Sequence, residues 1–230
     1  MLKFAPLLLA IVYALAMYWF SAWRMTKMLD AQSKPLTDPD LLAVTAQMAR
    51  ALDLPIIKVH VYDIEPVNGL AAPDGRIFLT SGFVQKFRSG AVTAPEMASV
   101  IAHELGHVAL GHSRRRMIDF TGKSAMFVML SAVLNRFVPV IGIWIANLLS
   151  SALSARLSRR DEHEADAYAS ALLVKAGIGT APQKSMFRKL DALTGSAGAG
   201  TPAWLLSHPK IAERIAAIEE REARWAVQPS

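Results

Sequence analysis

The residues best suited to chemistry form one short string, His103-Glu104-Leu105-Gly106-His107. Histidines at i and i+4 of a helix project from one face, and two imidazoles on one face can chelate a single ion. Glu104 lies between them on the same side, within reach of a water at that ion. The chain has no cysteine, so a metal site here must be built from histidine and carboxylate. Zinc fits such a set best. A catalytic zinc keeps three protein ligands and an open position for water, whose pKa it lowers to about 7. A neighbouring carboxylate then acts as base and afterwards as acid. The same five residues also describe two surface histidines on an ordinary helix. Ile101, Ala102, Leu105, Val108 and Ala109 favour a buried setting instead.

A third ligand is required. The metzincin spacing needs glycine at 110 and histidine at 113, where Leu110 and Ser113 stand. On a continuous helix His112 is turned about 140° from His107, so it reads as structural or interfacial. A carboxylate alternative lies further on, in Ser158-Arg159-Arg160-Asp161-Glu162-His163-Glu164-Ala165-Asp166. Glu162 and Asp166 share a helix face. Glu162 can bind the ion while Asp166 accepts the outer N–H of a ligating histidine and fixes its tautomer. Asp161, His163 and Glu164 read as a solvated face.

These side chains need elements to position them. Thr93 and Glu96 have capping-box spacing with Pro95 between them, and predict a helix from Thr93 to about Arg116. A second helix is expected from about Ser154 to Ala176, stopping at Gly177. Others are expected over residues 40–52, from Pro182 to near Gly195, and from Pro209 onward. Ile56–Tyr62, Val67–Ala72 and Arg76–Thr80 read as strands of a small antiparallel sheet, with Pro73-Asp74-Gly75 as a turn.

The remaining signals concern a membrane. Of the 230 residues 53% are hydrophobic, mean hydropathy is +0.28 and the formal charge is +6. Phe4 to Trp23 is free of charge, roughly 30 Å of helix and enough to cross a bilayer core. Tyr18, Trp19 and Trp23 stand where interfacial aromatics belong. A cleaved signal peptide is the alternative, but the apolar run is too long for one. Residues 1–23 are therefore expected as an anchor, 24–39 as a linker and 40–226 as the working domain. Arg24, Lys27 and Lys34 outnumber Lys3, which places that domain in the cytoplasm, on the inner face of a cell membrane. The basic balance points to an anionic lipid surface, with no nucleic-acid module visible.

Residues 125–153 are a second apolar segment, between the second and third expected ligands. Those ligands must meet on one side of a membrane, and 29 residues are too few for two crossings of about 20 each. A hairpin is expected, turning near Arg136 to Gly142, dipping into the bilayer or packing on the domain.

The sequence resembles the HtpX-like membrane zinc metalloproteases, relatives of the CAAX prenyl protease. Four features over roughly residues 40–220 carry the likeness. They are His103–His107, the segment Ser158-Arg159…Glu162…Ala165-Asp166, Ser207-His208-Pro209…Glu213-Arg214-Ile215, and Asn68-Gly69-Leu70-Ala71-Ala72 followed by Ile77–Gly82. The resemblance implies a mainly helical α+β zincin-type domain holding one zinc ion per chain. It implies Glu162 as third ligand with Asp166 as its helper, and His208 and Arg214 near the site. His208 would stabilise the oxyanion or occupy the open zinc position. Asn68, Gly69, Leu70 and Ala71 would form an edge strand holding a polypeptide substrate; Gly69 departs from the alanine more usual there. The expected activity is an endopeptidase acting on membrane or membrane-proximal, misfolded proteins, a quality-control role. The rivals are a chaperone or adaptor with a structural metal, and a processing enzyme for lipidated peptides. The sequence does not give the oligomeric state.

Overall fold

A computed structural model of the chain describes residues 5–72, 74–112, 141–195 and 211–227. The chain divides into two compact units, Met1–Gln32 with Ser113–Leu153, and Ser33–His112 with Ser154–Ser230.

The first unit contains helix α1, Ala5–Ala31. Tyr13, Trp19, Phe20 and Trp23 on it are exposed. Among the described residues, no helix is long and apolar enough to cross a membrane. The side chains of residues 5–11, 14, 17 and 18 fall outside that description. The expected hairpin lies mostly in residues 113–140, outside the described residues. Its far end is helical: the helix expected from Ser154 already begins at Ile141 and continues to Lys175 (α5).

The second unit opens with β1, Ser33–Pro35, and α2, Pro39–Ala51. The Asp38 side chain accepts from the backbone N–H of Asp40 and caps α2, with Pro39 in its first turn. Next come β2 (Val59–Tyr62), β3 (Gly69–Ala71), β4 (Ile77–Thr80) and α3 (Ser81–Arg88). Helix α4, Ala94–Ala109, starts with the expected capping box of Thr93 and Glu96. After α5 follow α6, Ala181–Gly195, and α7, Ile211–Val227.

The sheet is mixed, in the order β1-β2-β4-β3, and not the antiparallel sheet expected. The chain turns through Asp74 and Gly75 (φ 87°) into the expected β3–β4 hairpin. β4 then lies between β3 and β2. The chain reverses into β3 and again into β4, so β2 and β4 run parallel. The expected linker also resolves differently. Residues 24–31 belong to α1, and Ser33–Pro35 pairs antiparallel with Tyr62–His60. Such a short polar strand carries no alternation, and its proline is tolerated at a sheet edge.

The core lies between sheet and helices. Leu41, Met48, Ile77, Leu79, Phe83, Met97, Ile101, Leu173 and Met186 pack in one cluster. Helix α4 runs through its middle, against α2, α6 and β3. Its polar stripe of functional residues is thus held by a helix whose other faces are fixed.

Candidate metal centre

Helix α4 presents His103 and His107 one turn apart, both buried. Glu162 arrives from α5, 1% exposed. Gly106 permits the meeting. A Cβ added there would stand 3.1 Å from both Cα and O of Ala165 and 3.2 Å from the Tyr168 Cβ. Any side chain there would press the backbones of α4 and α5 apart by a few tenths of an ångström.

The three donors converge. Nε2 of His103 and Nε2 of His107 are 3.1 Å apart. The Glu162 carboxylate reaches them with Oε2 at 3.2 Å and Oε1 at 3.4 Å. A tetrahedral ion with bonds of about 2.0–2.1 Å separates its ligand atoms by about 3.3 Å. The donor set fits such an ion in type and in spacing.

The outer nitrogens are also engaged. Nδ1 of His103 lies 2.9 Å from Oδ1 of Asp166. Asp166 in turn accepts two hydrogen bonds from Arg214, Nε to Oδ2 at 2.7 Å and a terminal nitrogen to Oδ1 at 2.6 Å. Asp166 is 0% and Arg214 2% exposed. The guanidinium also stacks over Phe187 at 4.1 Å. Burial alone would raise the Asp166 carboxyl. The charge and hydrogen bonds of Arg214, with the bond to His103, outweigh it and hold the group well below the usual carboxylate range. For His103 burial works downward. The bonds to Asp166 and Glu162 prevail and push it up to about 9 in the metal-free protein. Such a proton must leave before Nε2 can take an ion.

The structure corrects the reading of His112. Helix α4 ends at Ala109, well before Arg116, and Gly111 at φ 68° turns the chain back. His112 is therefore not rotated away. It is fully buried, with Nδ1 2.9 Å from Nδ1 of His107. Its Nε2 is 3.1 Å from Oε2 of Glu164. Asp161, expected on a solvated face, is buried, and Glu164 is only half-exposed. His163 is half-buried. The missed signal was the glycine just past Leu110, an ordinary helix stop.

Glu104 faces an open cleft. Val67, Phe83, Val100, Phe187 and Leu190 give it apolar walls, and Asn68, Gly69, His103 and Arg214 line it too. β3 is the edge strand above, paired to β4 through Gly69–Leu79 and Ala71–Ile77. Gly69 sits directly over the site. A Cβ there would be 3.3 Å from Oε1 of Glu104 and 3.0 Å from Cγ1 of Val100. Asn68 is exposed, while Leu70 and Ala71 are half-buried. His208 lies outside the described residues.

Buried histidines and a carboxylate around an ion-sized gap, beside an edge strand and cleft, define a metallohydrolase-like centre. Peptidase family M48 matches residues 35–222, and the chain belongs to that metalloprotease family. It is 31% identical to the metalloprotease YcaL of Escherichia coli (strain K12), over 77% of this chain and 68% of that one. It is 31% identical to the metalloprotease LoiP of the same organism, over 72% and 62%. The protease HtpX of Alkalilimnicola ehrlichii is 24% identical over 90% of this chain and 78% of its own. Among solved structures, Ste24p of S. mikatae superposes with a TM-score of 0.59 at 23% identity. That match covers 91% of this chain and 56% of Ste24p, and it shows the shared fold.

Proposed function

We propose that the chain is a zinc metalloendopeptidase anchored to a membrane by α1. The observation carrying the enzymatic part is the triangle of His103 Nε2, His107 Nε2 and the Glu162 carboxylate, 3.1–3.4 Å on its sides. A zinc ion held by these three would supply a Lewis acid for the scissile carbonyl and acidify water beside it.

The protein's own groups do the rest. An extended peptide pairs with the open edge of β3 at Asn68–Ala71. Main-chain hydrogen bonds hold it there with wide tolerance of sequence. The scissile bond then lies over Glu104. Glu104 takes a proton as water adds to the carbonyl carbon, then delivers it to the amine that leaves. Arg214 and Asp166 keep the His103 ring fixed throughout. His208 is assigned to the developing oxyanion, or to a resting contact that a substrate displaces.

The anchor is supported by the charge-free run Phe4–Trp23 and the exposed aromatics of α1. Retention in membranes after carbonate washing would bear it out, and release into the supernatant would remove it. The positive charges after the run place the working domain on the cytoplasmic side. Its substrates there are membrane or membrane-proximal polypeptides.

The hydrolytic reading is tested with Glu104→Gln. The variant should keep its zinc and lose cleavage of casein. Cleavage at the wild-type rate would exclude Glu104 as base. Zinc binding with no hydrolysis by wild type would favour a non-proteolytic adaptor.

A further inference from the structure

Nothing in the proposed reaction uses His112, yet it is among the most completely buried polar side chains described, at 0% exposure. Each ring nitrogen has one neighbour at hydrogen-bonding distance. Nδ1 faces Nδ1 of His107 at 2.9 Å, and Nε2 faces Oε2 of Glu164 at 3.1 Å. Glu164 is itself held by Nε of Arg160 at 2.8 Å. The Asp161 carboxylate stands 3.8 Å from the same His112 nitrogen.

With an ion on Nε2 of His107, these contacts set the protons along the relay. A ligating His107 needs the lone pair of Nε2, so its hydrogen sits on Nδ1. At 2.9 Å that N–H can only donate to Nδ1 of His112. Nδ1 of His112 is then an acceptor, and its hydrogen sits on Nε2, where it donates to Glu164. Any other assignment puts two hydrogens, or two lone pairs, in the gap between the rings.

We infer that His112 is the positioning residue for His107, a relay that sets the tautomer and ring orientation of this ligand from the carboxylate of Glu164. His103 gets the same service directly from Asp166. The two ligands are thus oriented by separate acids, one behind each ring. The inference rests on the metal-binding reading above. It adds Gly111, His112, Glu164 and Arg160 to the residues that shape the centre. It also makes the trio His112, Asp161 and Glu164 no second cation site, although their donor atoms cluster. The His112 Nε2 lone pair such an ion would need is occupied by hydrogen.

The test uses the full chain in micelles and zinc alone as the probe. Zinc affinity is read by competition with a fluorescent chelator. His112→Leu should weaken it about 10- to 100-fold, the usual effect of removing an outer partner of a ligating histidine. His112→Asn places an amide oxygen near the lost Nδ1 acceptor and should recover most of that loss. A packing role alone would leave the two variants alike. Ring-nitrogen NMR of the zinc-loaded wild type needs no variant to fold, and should show His107 protonated at Nδ1 and His112 at Nε2. Affinity within twofold of wild type in His112→Leu, or no recovery in His112→Asn, overturns the relay. So does the opposite tautomer, or two zinc ions per chain. Failure of the relay would leave the hydrolytic reading through Glu104 standing. Absence of any zinc in wild type would instead defeat the proposed function itself, and the inference with it.

Discussion

Removing Arg214 gives the sharpest energetic test of how the centre is held. In Arg214→Leu, Asp166 loses two charge-assisted hydrogen bonds of 2.6 and 2.7 Å at a carboxylate with no exposure. Breaking one side of a buried ion pair costs about 3–5 kcal/mol, because the other charge stays buried. Asp166 keeps the His103 ring at 2.9 Å and can take up a proton, so the lower end applies, about 3 kcal/mol. With a urea slope of about 2 kcal/mol per molar, the unfolding midpoint of the metal-free protein should fall by about 1.5 M. Arg214→Lys keeps the charge without the fork and should lie between the two. The double variant Arg214→Leu, Asp166→Leu leaves no stranded charge. Its loss should fall short of the sum of the single changes by at least about 1 kcal/mol. The assay is far-UV circular dichroism in urea, in detergent. A midpoint shift below about 0.5 M, roughly 1 kcal/mol, would refute the claim that this pair bears the weight of the site.

Three further outcomes are expected. Gly106→Val inserts a branched side chain where even a Cβ stands 3.1 Å from backbone, so α4 and α5 must part; zinc affinity should drop at least tenfold, and stability by about 1–3 kcal/mol. Glu96 accepts from Lys189, Ser185 and the Thr93 backbone. Burial alone would raise its carboxyl, but these bonds outweigh it and lower the folded-state value, so its stabilisation is present above the unfolded carboxyl range and lost as pH falls through the folded value. Glu96→Gln should therefore cost about 1 kcal/mol near neutrality, and chemical melts should converge with wild type only once the pH falls below the lowered folded-state range of Glu96; a gap unchanged with pH contradicts this. Cleavage of a random peptide library should show apolar side chains enriched beside the scissile bond, matching Val67, Phe83, Val100, Phe187 and Leu190. A flat profile would mean that the cleft does not receive substrate side chains.

Much of the centre was legible because helical spacing is itself a geometric statement. His103 with His107, and Glu162 with Asp166, each lie four residues apart, and the structure brings both pairs to one point. Arg214 was approached only through resemblance, since nothing in its local pattern marks a buried arginine. His112 was misread by extending α4 past Gly111, where the reversal of the chain decides its position. Asp161 looked solvated because a run with two arginines and four acids has no apolar period to betray a buried face. The sheet shows a different limit. Alternation and turn residues identify strands and one hairpin, but which strand β2 meets is a long-range pairing that local pattern does not encode. A three-residue edge strand such as Ser33–Pro35 leaves almost no trace in composition.

The claim on which everything rests is that two helices contribute His103, His107 and Glu162 to a single ion. Its most direct measurement is the zinc content of purified protein, by elemental analysis after dialysis against a weak chelator, for wild type beside Glu162→Ala. The account predicts one zinc per wild-type chain and close to none in the variant. One zinc per chain retained by Glu162→Ala would contradict it.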